Sequence, residues 1–171
     1  MLIVSDETWL DLANNMSTLI ESATPNYNFM SAIRENKKGG GIATIFNASF
    51  QCRQSLFCDF VSFEYLSTII KGSPQIILLI IYRPPKHSPK VCLEELSELL
   101  SGICLEYDCD IKSGDFNLHV DNPENSYASE LLSLLDTLHL TQHVEEPTHS
   151  LGHTLDLVIT KGVDISLTVR T

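Results

Sequence analysis

Apolar residues along this chain fall into two kinds of run. Short continuous runs predict strands: Leu2–Ser5, 41–47 ("GIATIFN"), 56–66 (rich in Phe, Val and Tyr), 75–82, 110–113 and 154–160 ("TLDLVIT"). Longer stretches repeat at helical spacing. Ser88-Pro89 supplies an N-cap followed by Pro at the first helical position, and Val91, Leu96, Leu99, Leu100 and Ile103 continue on one face. Glu94, Glu95 and Glu98 make the opposite face acidic. Residues 126–140 predict a second amphipathic helix through Ala128, Leu131, Leu132, Leu135 and Leu138. Residues 25–28 and the Lys71-Gly72-Ser73-Pro74 turn read as loops. No helix separates the strands at 41–47, 56–66 and 75–82, so antiparallel pairing and a mixed sheet are expected.

The 171 residues suffice for one domain with a core, and no repeat or low-complexity tract interrupts them. The longest apolar run, Ile76–Ile81, suits a buried strand and is too short for a bilayer, so no membrane partner is expected. The start, MLIVSDETWL, lacks the basic flank of a signal peptide. Five scattered Cys then read as reduced thiols in a nuclear or cytoplasmic setting, not a secreted one. Acids outnumber bases 22 to 11, a formal charge of −11. That excludes nucleic-acid coating by bulk charge and leaves room for local grip and for carboxylates around a metal.

Candidate chemistry concentrates at strand ends. Asp115 and Asn117, in "GDFNLHVD" at 114–121, are either turn residues or a base and a hydrogen-bond donor aimed at one point. Tyr82 ends the most apolar strand, followed by Arg83. The pair is either solvated or faces a phosphate. Asp156 interrupts an apolar strand, either on its wet face or orienting a His. Glu7, beside Trp9, is either an exposed acid or a hard-metal ligand. The basic patch Arg34, Lys37, Lys38 and the loop Arg83, Lys86, His87, Lys90 are either solvated or contact a nucleic-acid backbone. His149 and His153, with Cys104 and Cys109, lack the spacing of a structural zinc finger.

Taken in order, "ETWL" at 7–10, "GGGIATIF" at 39–46, "IYRPP" at 81–85, "GDFNLHVD" at 114–121 and "PTHSLGHTLDLVIT" at 147–160 resemble the endonuclease/exonuclease/phosphatase superfamily. The wording is most similar to the endonuclease domain of non-LTR (LINE-type) retrotransposons, and it spans nearly the whole chain. The resemblance implies an α/β four-layer sandwich of two mixed, mostly antiparallel sheets flanked by helices. It implies Mg²⁺-dependent hydrolysis of a DNA phosphodiester, with a reverse transcriptase domain as companion. It gives Glu7 the metal-ligand role, Tyr82 the active-site Tyr, and Asp115 the activation of water. Asn117 would steady the site and the phosphate, and Asp156 would orient the catalytic His.

Two departures qualify this reading. The family's Ser-Asp-His motif is not among the 171 residues, and the family's first strand and Asn-containing loop would precede the Glu motif. The expectation is therefore a single partial domain over 1–171, incomplete at both ends. Its alternative to an active endonuclease is a catalytically inactive remnant. A phosphatase or lipid phosphodiesterase of the same superfamily is a third reading. The strand before Asp115 also carries Lys112 and Ser113 where the family has apolar residues, which is expected to weaken the core under the site.

Overall fold

The computed structural model describes residues 2–5, 26–32 and 41–167. The strands are β1 (Leu2–Ser5), β2 (Tyr27–Ala32), β3 (Ile42–Asn47), β4 (Cys52–Ser55), β5 (Glu64–Ile70), β6 (Ile76–Tyr82), β7 (Asp110–Asp115), β8 (Thr141–Gln142) and β9 (Asp156–Lys161). Helix α1 (Pro89–Glu106) lies between β6 and β7, and helix α2 (Ser126–Thr137) between β7 and β8. The strands form a three-stranded sheet in the order β1-β3-β2 and a six-stranded sheet in the order β4-β5-β6-β7-β9-β8. Among the described residues only the β6–β7 pair is parallel, and α1 makes that crossover.

Strand alternation divides the large sheet's side chains between two cores. On one face, Leu66, Leu78, Ile80 and Tyr82 pack against Ile42, Met30 and Ala32 of the small sheet. On the other, Ile77, Leu79, Ile81, Leu157 and Ile159 meet Leu96, Leu100 and Ile103 of α1 and Leu131 and Leu135 of α2. Burial on both faces explains the unbroken apolar run of β6. Each fully buried Leu or Ile here contributes roughly 1.5–3 kcal/mol. Three of the four expected layers thus lie among the described residues: small sheet, large sheet and helices.

Helix α1 begins as its sequence predicts, with Ser88 at the N-cap and Pro89 in the first turn. Its buried stripe holds Leu96, Leu99, Leu100 and Ile103 as expected, but Val91 is exposed and Cys92 and Leu93 are buried in its place. In α2, which ends at Thr137 rather than 140, Leu132 is exposed where a core position was expected. Glu95 is not part of a solvated acidic face. Its carboxylate accepts from the N–H of Val61 (3.1 Å) and of Ser62 (3.0 Å) and from the Ser62 hydroxyl. Burial pushes its pKa up, but these bonds, and to a lesser degree the charge of His87, outweigh it and hold the carboxyl below 4.5.

The expected strand at 56–66 is corrected to 64–70. Residues 56–63 form a loop locked by its own aromatics. Phe60 stacks on Phe63 at 4.9 Å, and the Tyr65 hydroxyl accepts from Phe57 N–H and donates to Cys58 O, each at 2.9 Å. Residues 27–32 form a strand, not the continuation of a loop.

The expected weakness under Asp115 is also corrected. Lys112 and Asp110, on the helix-facing side of β7, form a buried ion pair and are 0% and 1% exposed. Neighbouring Lys161 donates to Cys104 O at 2.9 Å and Tyr107 O at 3.3 Å, closing the end of α1 onto the sheet. The charges are matched within the layer that buries them, which is the condition for tolerating them there.

Candidate active site

Sheet register builds the site. Tyr82 of β6 stands opposite Asp115 of β7, and Asp115 opposite Asp156 of β9. Glu64 of β5 stands opposite Tyr82. Directly opposed residues share a face, so one row across four strands carries Glu64, Tyr82, Asp115 and Asp156 on the side of the small sheet. The row continues the apolar core one step beyond Ile80, where the sheet reaches its rim. Three of the four residues are half-buried carboxylates, and Tyr82 is buried.

Gly114 makes the row possible. Its φ is +137°, and a Cβ there would lie 1.9 Å from Ile81 O. Only glycine permits that approach of β7 to β6. Beyond it the chain turns sharply, with Asn117 at φ +51°. Asn117 folds back onto Asp115: its N–H donates to Oδ1 (2.9 Å) and its Nδ2 to Oδ2 (2.6 Å). Nδ2 also donates to Arg83 O at 2.9 Å. Both carboxylate oxygens thus accept from neutral donors, which orient the group. Leu155 O accepts from Phe116 N–H (2.9 Å), and Asp115 O accepts from Arg83 N–H (2.9 Å), fixing the loop to strands on both sides.

Asp156 is set by "PTHS". Thr148 Oγ1 accepts from the N–H groups of Leu155 and Asp156, both at 3.1 Å. Tyr82, Asp115, Asn117 and Asp156 are thus brought together. Arg83 is not available to a DNA backbone, which corrects its expected role. It is 2% exposed, and its guanidinium donates to Asn117 O (2.9 Å), Phe116 O (3.4 Å) and His87 O (2.6 Å). It is a positioning residue that ties the 83–87 turn to the Asp115–Asn117 loop. Lys86, on the same turn, is exposed. Glu7, Arg34, Lys37 and Lys38 lie outside the described residues.

Sequence reasoning missed Glu64, because the misplaced strand hid its register. Glu64 accepts from Gly41 N–H at 3.4 Å, joining the end of the glycine run to the row. It also missed a cluster beside the loop. His119 (φ +44°), Asp121 and His153 each bring one ligand-type atom to within 4.8 Å of the others. Asp121 Oδ2 lies 3.0 Å from His153 Nδ1, and its Oδ1 accepts from Thr154 N–H at 2.9 Å. The bond to His153, then that from Thr154, hold the Asp121 carboxyl below its usual range.

Solved structures share this arrangement of strands. The endonuclease domain of TRAS1, a telomere-specific non-LTR retrotransposon, superposes with a TM-score of 0.64 at 14% identity, over 81% of this chain and 67% of that one. The 3′ phosphatase NExo from Neisseria, bound to a product DNA hairpin, gives 0.67 at 16% identity, over 94% and 76%. The AP endonuclease LMAP from Leishmania major gives 0.63 at 12% identity, over 94% and 69%. This is the endonuclease/exonuclease/phosphatase fold. No protein-family model matches the chain, and no curated protein does. At such identities the likeness carries the fold, a scaffold that in these neighbours belongs to nucleases and phosphatases. Among the described residues, no helix is long and apolar enough to cross a membrane.

Proposed function

We propose that this chain is a Mg²⁺-dependent DNA phosphodiesterase of the non-LTR retrotransposon endonuclease type. The observation that carries this reading is the row Tyr82–Asp115–Asp156 with both Asp115 oxygens gripped by Asn117. Asp115 takes the proton of the attacking water, and Asn117 keeps the carboxylate aimed. The Tyr82 hydroxyl donates to a phosphate oxygen as charge builds there. Asp115 and Asp156, opposed across β7 and β9, offer oxygen donors, the chemistry that would suit a hard cation such as Mg²⁺. Glu7 would join them. When bound, such a cation would supply positive charge to the phosphate oxygens. Lys86, with Arg34, Lys37 and Lys38, would contact the DNA backbone, a local grip on a protein whose net charge is −11. A reverse transcriptase would be the companion that uses the nicked end.

The test is nicking of supercoiled plasmid by the purified chain, in Mg²⁺ and in EDTA, beside Asp115→Asn. Metal-dependent nicking that disappears in the variant supports the reading. Nicking equal in both proteins, or absent from both, overturns it. In the latter case the inactive-remnant reading stands.

A further inference from the structure

Beside the proposed phosphodiesterase site, the geometry points to a second metal site, formed by His119, Asp121 and His153 and selective for a transition cation of the Zn²⁺ class. Two imidazoles and one carboxylate are the ligand set such cations take, whereas Mg²⁺ takes oxygens. The three candidate ligand atoms lie within 4.8 Å of one another. Ligand atoms around a tetrahedral zinc sit about 3.3 Å apart, given metal–ligand distances of about 2.0 Å. Half-exposed side chains close that difference by small rotations.

Each ligand is held from behind. His119 sits at φ +44°, a conformation that non-glycine residues adopt at a cost, and its ring meets that of His153 edge to face at 4.5 Å. Thr154 N–H anchors the far oxygen of Asp121 at 2.9 Å. His153 O accepts from the N–H groups of Thr148 (3.0 Å) and His149 (2.9 Å), which fixes the backbone under the second imidazole. Such outer contacts are what orient metal ligands. A plain surface ion pair between Asp121 and His153 needs neither the strained His119 nor its approach to His153.

The site joins two loops that are distant in sequence. One follows Asp115 and Asn117, and the other precedes Asp156. A cation bound there would staple the two loops flanking the catalytic row and raise the melting temperature of the folded chain. Asp121 is exposed and both imidazoles are half-buried, so water would complete the coordination.

The experiment is calorimetric titration of chelator-treated chain with Zn²⁺, with the visible spectrum of the Co²⁺-loaded chain as a second readout. Three variants accompany it: His119→Ala, His153→Ala and Asp115→Asn. Circular dichroism confirms that each variant folds. In excess Mg²⁺, which fills the carboxylate row, one Zn²⁺ per chain is expected, with affinity at least tenfold weaker in His119→Ala and His153→Ala and unchanged in Asp115→Asn. The Co²⁺ spectrum should show tetrahedral bands without thiolate charge transfer, which separates this site from the five cysteines. Absence of saturable binding, binding indifferent to both His variants, thiolate charge transfer, or loss in Asp115→Asn would each overturn the assignment. Because the readout is binding, failure of the proposed nuclease activity leaves the outcome interpretable.

Discussion

Strand β7 carries a carboxylate at each end, and the two are treated in opposite ways. Asp110 is 1% exposed on the helix-facing side, neutralised by Lys112 within the same strand. Asp115 is half-buried on the other side, at the rim, and Asn117 gives it two neutral hydrogen bonds. A buried charge matched by a buried countercharge is spent on holding the strand in place. Neutral donors orient a carboxylate without cancelling its charge. Four residues thus separate a structural acid from the one proposed to do the chemistry. The same contrast holds for the cations: Lys112 and Arg83 are 0% and 2% exposed and serve the scaffold, while Lys86 is exposed on the turn.

The largest expected effect is at the chemical end. Asp115→Asn should lower metal-dependent plasmid nicking by about 10²–10⁴-fold, measured as initial rates. At the structural end, Asp110→Ala strands the Lys112 ammonium in the core and should cost about 3–5 kcal/mol in urea unfolding. Replacing both with apolar residues, Asp110→Leu with Lys112→Met, should recover most of that loss. Recovery failing would mean the pair does more than neutralise itself.

Glu95 sharpens the comparison, as an acid held by hydrogen bonds without chemistry to perform. Its folded pKa lies below 4.5, so its contribution is present in full above that pH. The contribution is lost as pH falls through the lower folded value. Glu95→Gln should destabilise by about 2 kcal/mol at pH 7 and flatten the acid limb of a melting-temperature profile. A parallel acid limb in the variant would remove Glu95 from the account. The smallest effect belongs to Lys86→Ala, which should weaken DNA binding at low salt and reduce the salt slope by about 1, regardless of DNA sequence.

Much of this was legible in the chain. β6 could be read because burial on both faces demands an unbroken apolar run. Tyr82, Asp115 and Asp156 stood out as polar residues ending or interrupting apolar strands. Their common row could not be read, because it depends on register across two pairings, the parallel β6–β7 pair and the β7–β9 pair. β5 was misplaced because Phe57, Phe60 and Phe63 have strand-like composition but satisfy themselves in a loop. Lys112 looked like a defect because its partner, Asp110, lies two residues away on the same face, a pairing that pattern alone does not separate from a solvated strand. Arg83 looked like a phosphate ligand. Its burial follows from a turn that brings His87 O within reach. His153 lies more than 30 residues from His119 and Asp121 and is brought to them only by loop conformations, including Gly152 at φ +84°.

The most direct test of the division within β7 is thermal melting of Asp110→Asn and Asp115→Asn beside the parent. Removing one half of a buried ion pair strands the other charge, whereas Asp115→Asn forfeits one of the two hydrogen bonds from Asn117. Asp115→Asn is expected to melt slightly below the parent temperature, and Asp110→Asn well below it. Asp115→Asn melting as far below the parent as Asp110→Asn would contradict the account, and would make Asp115 a second structural acid.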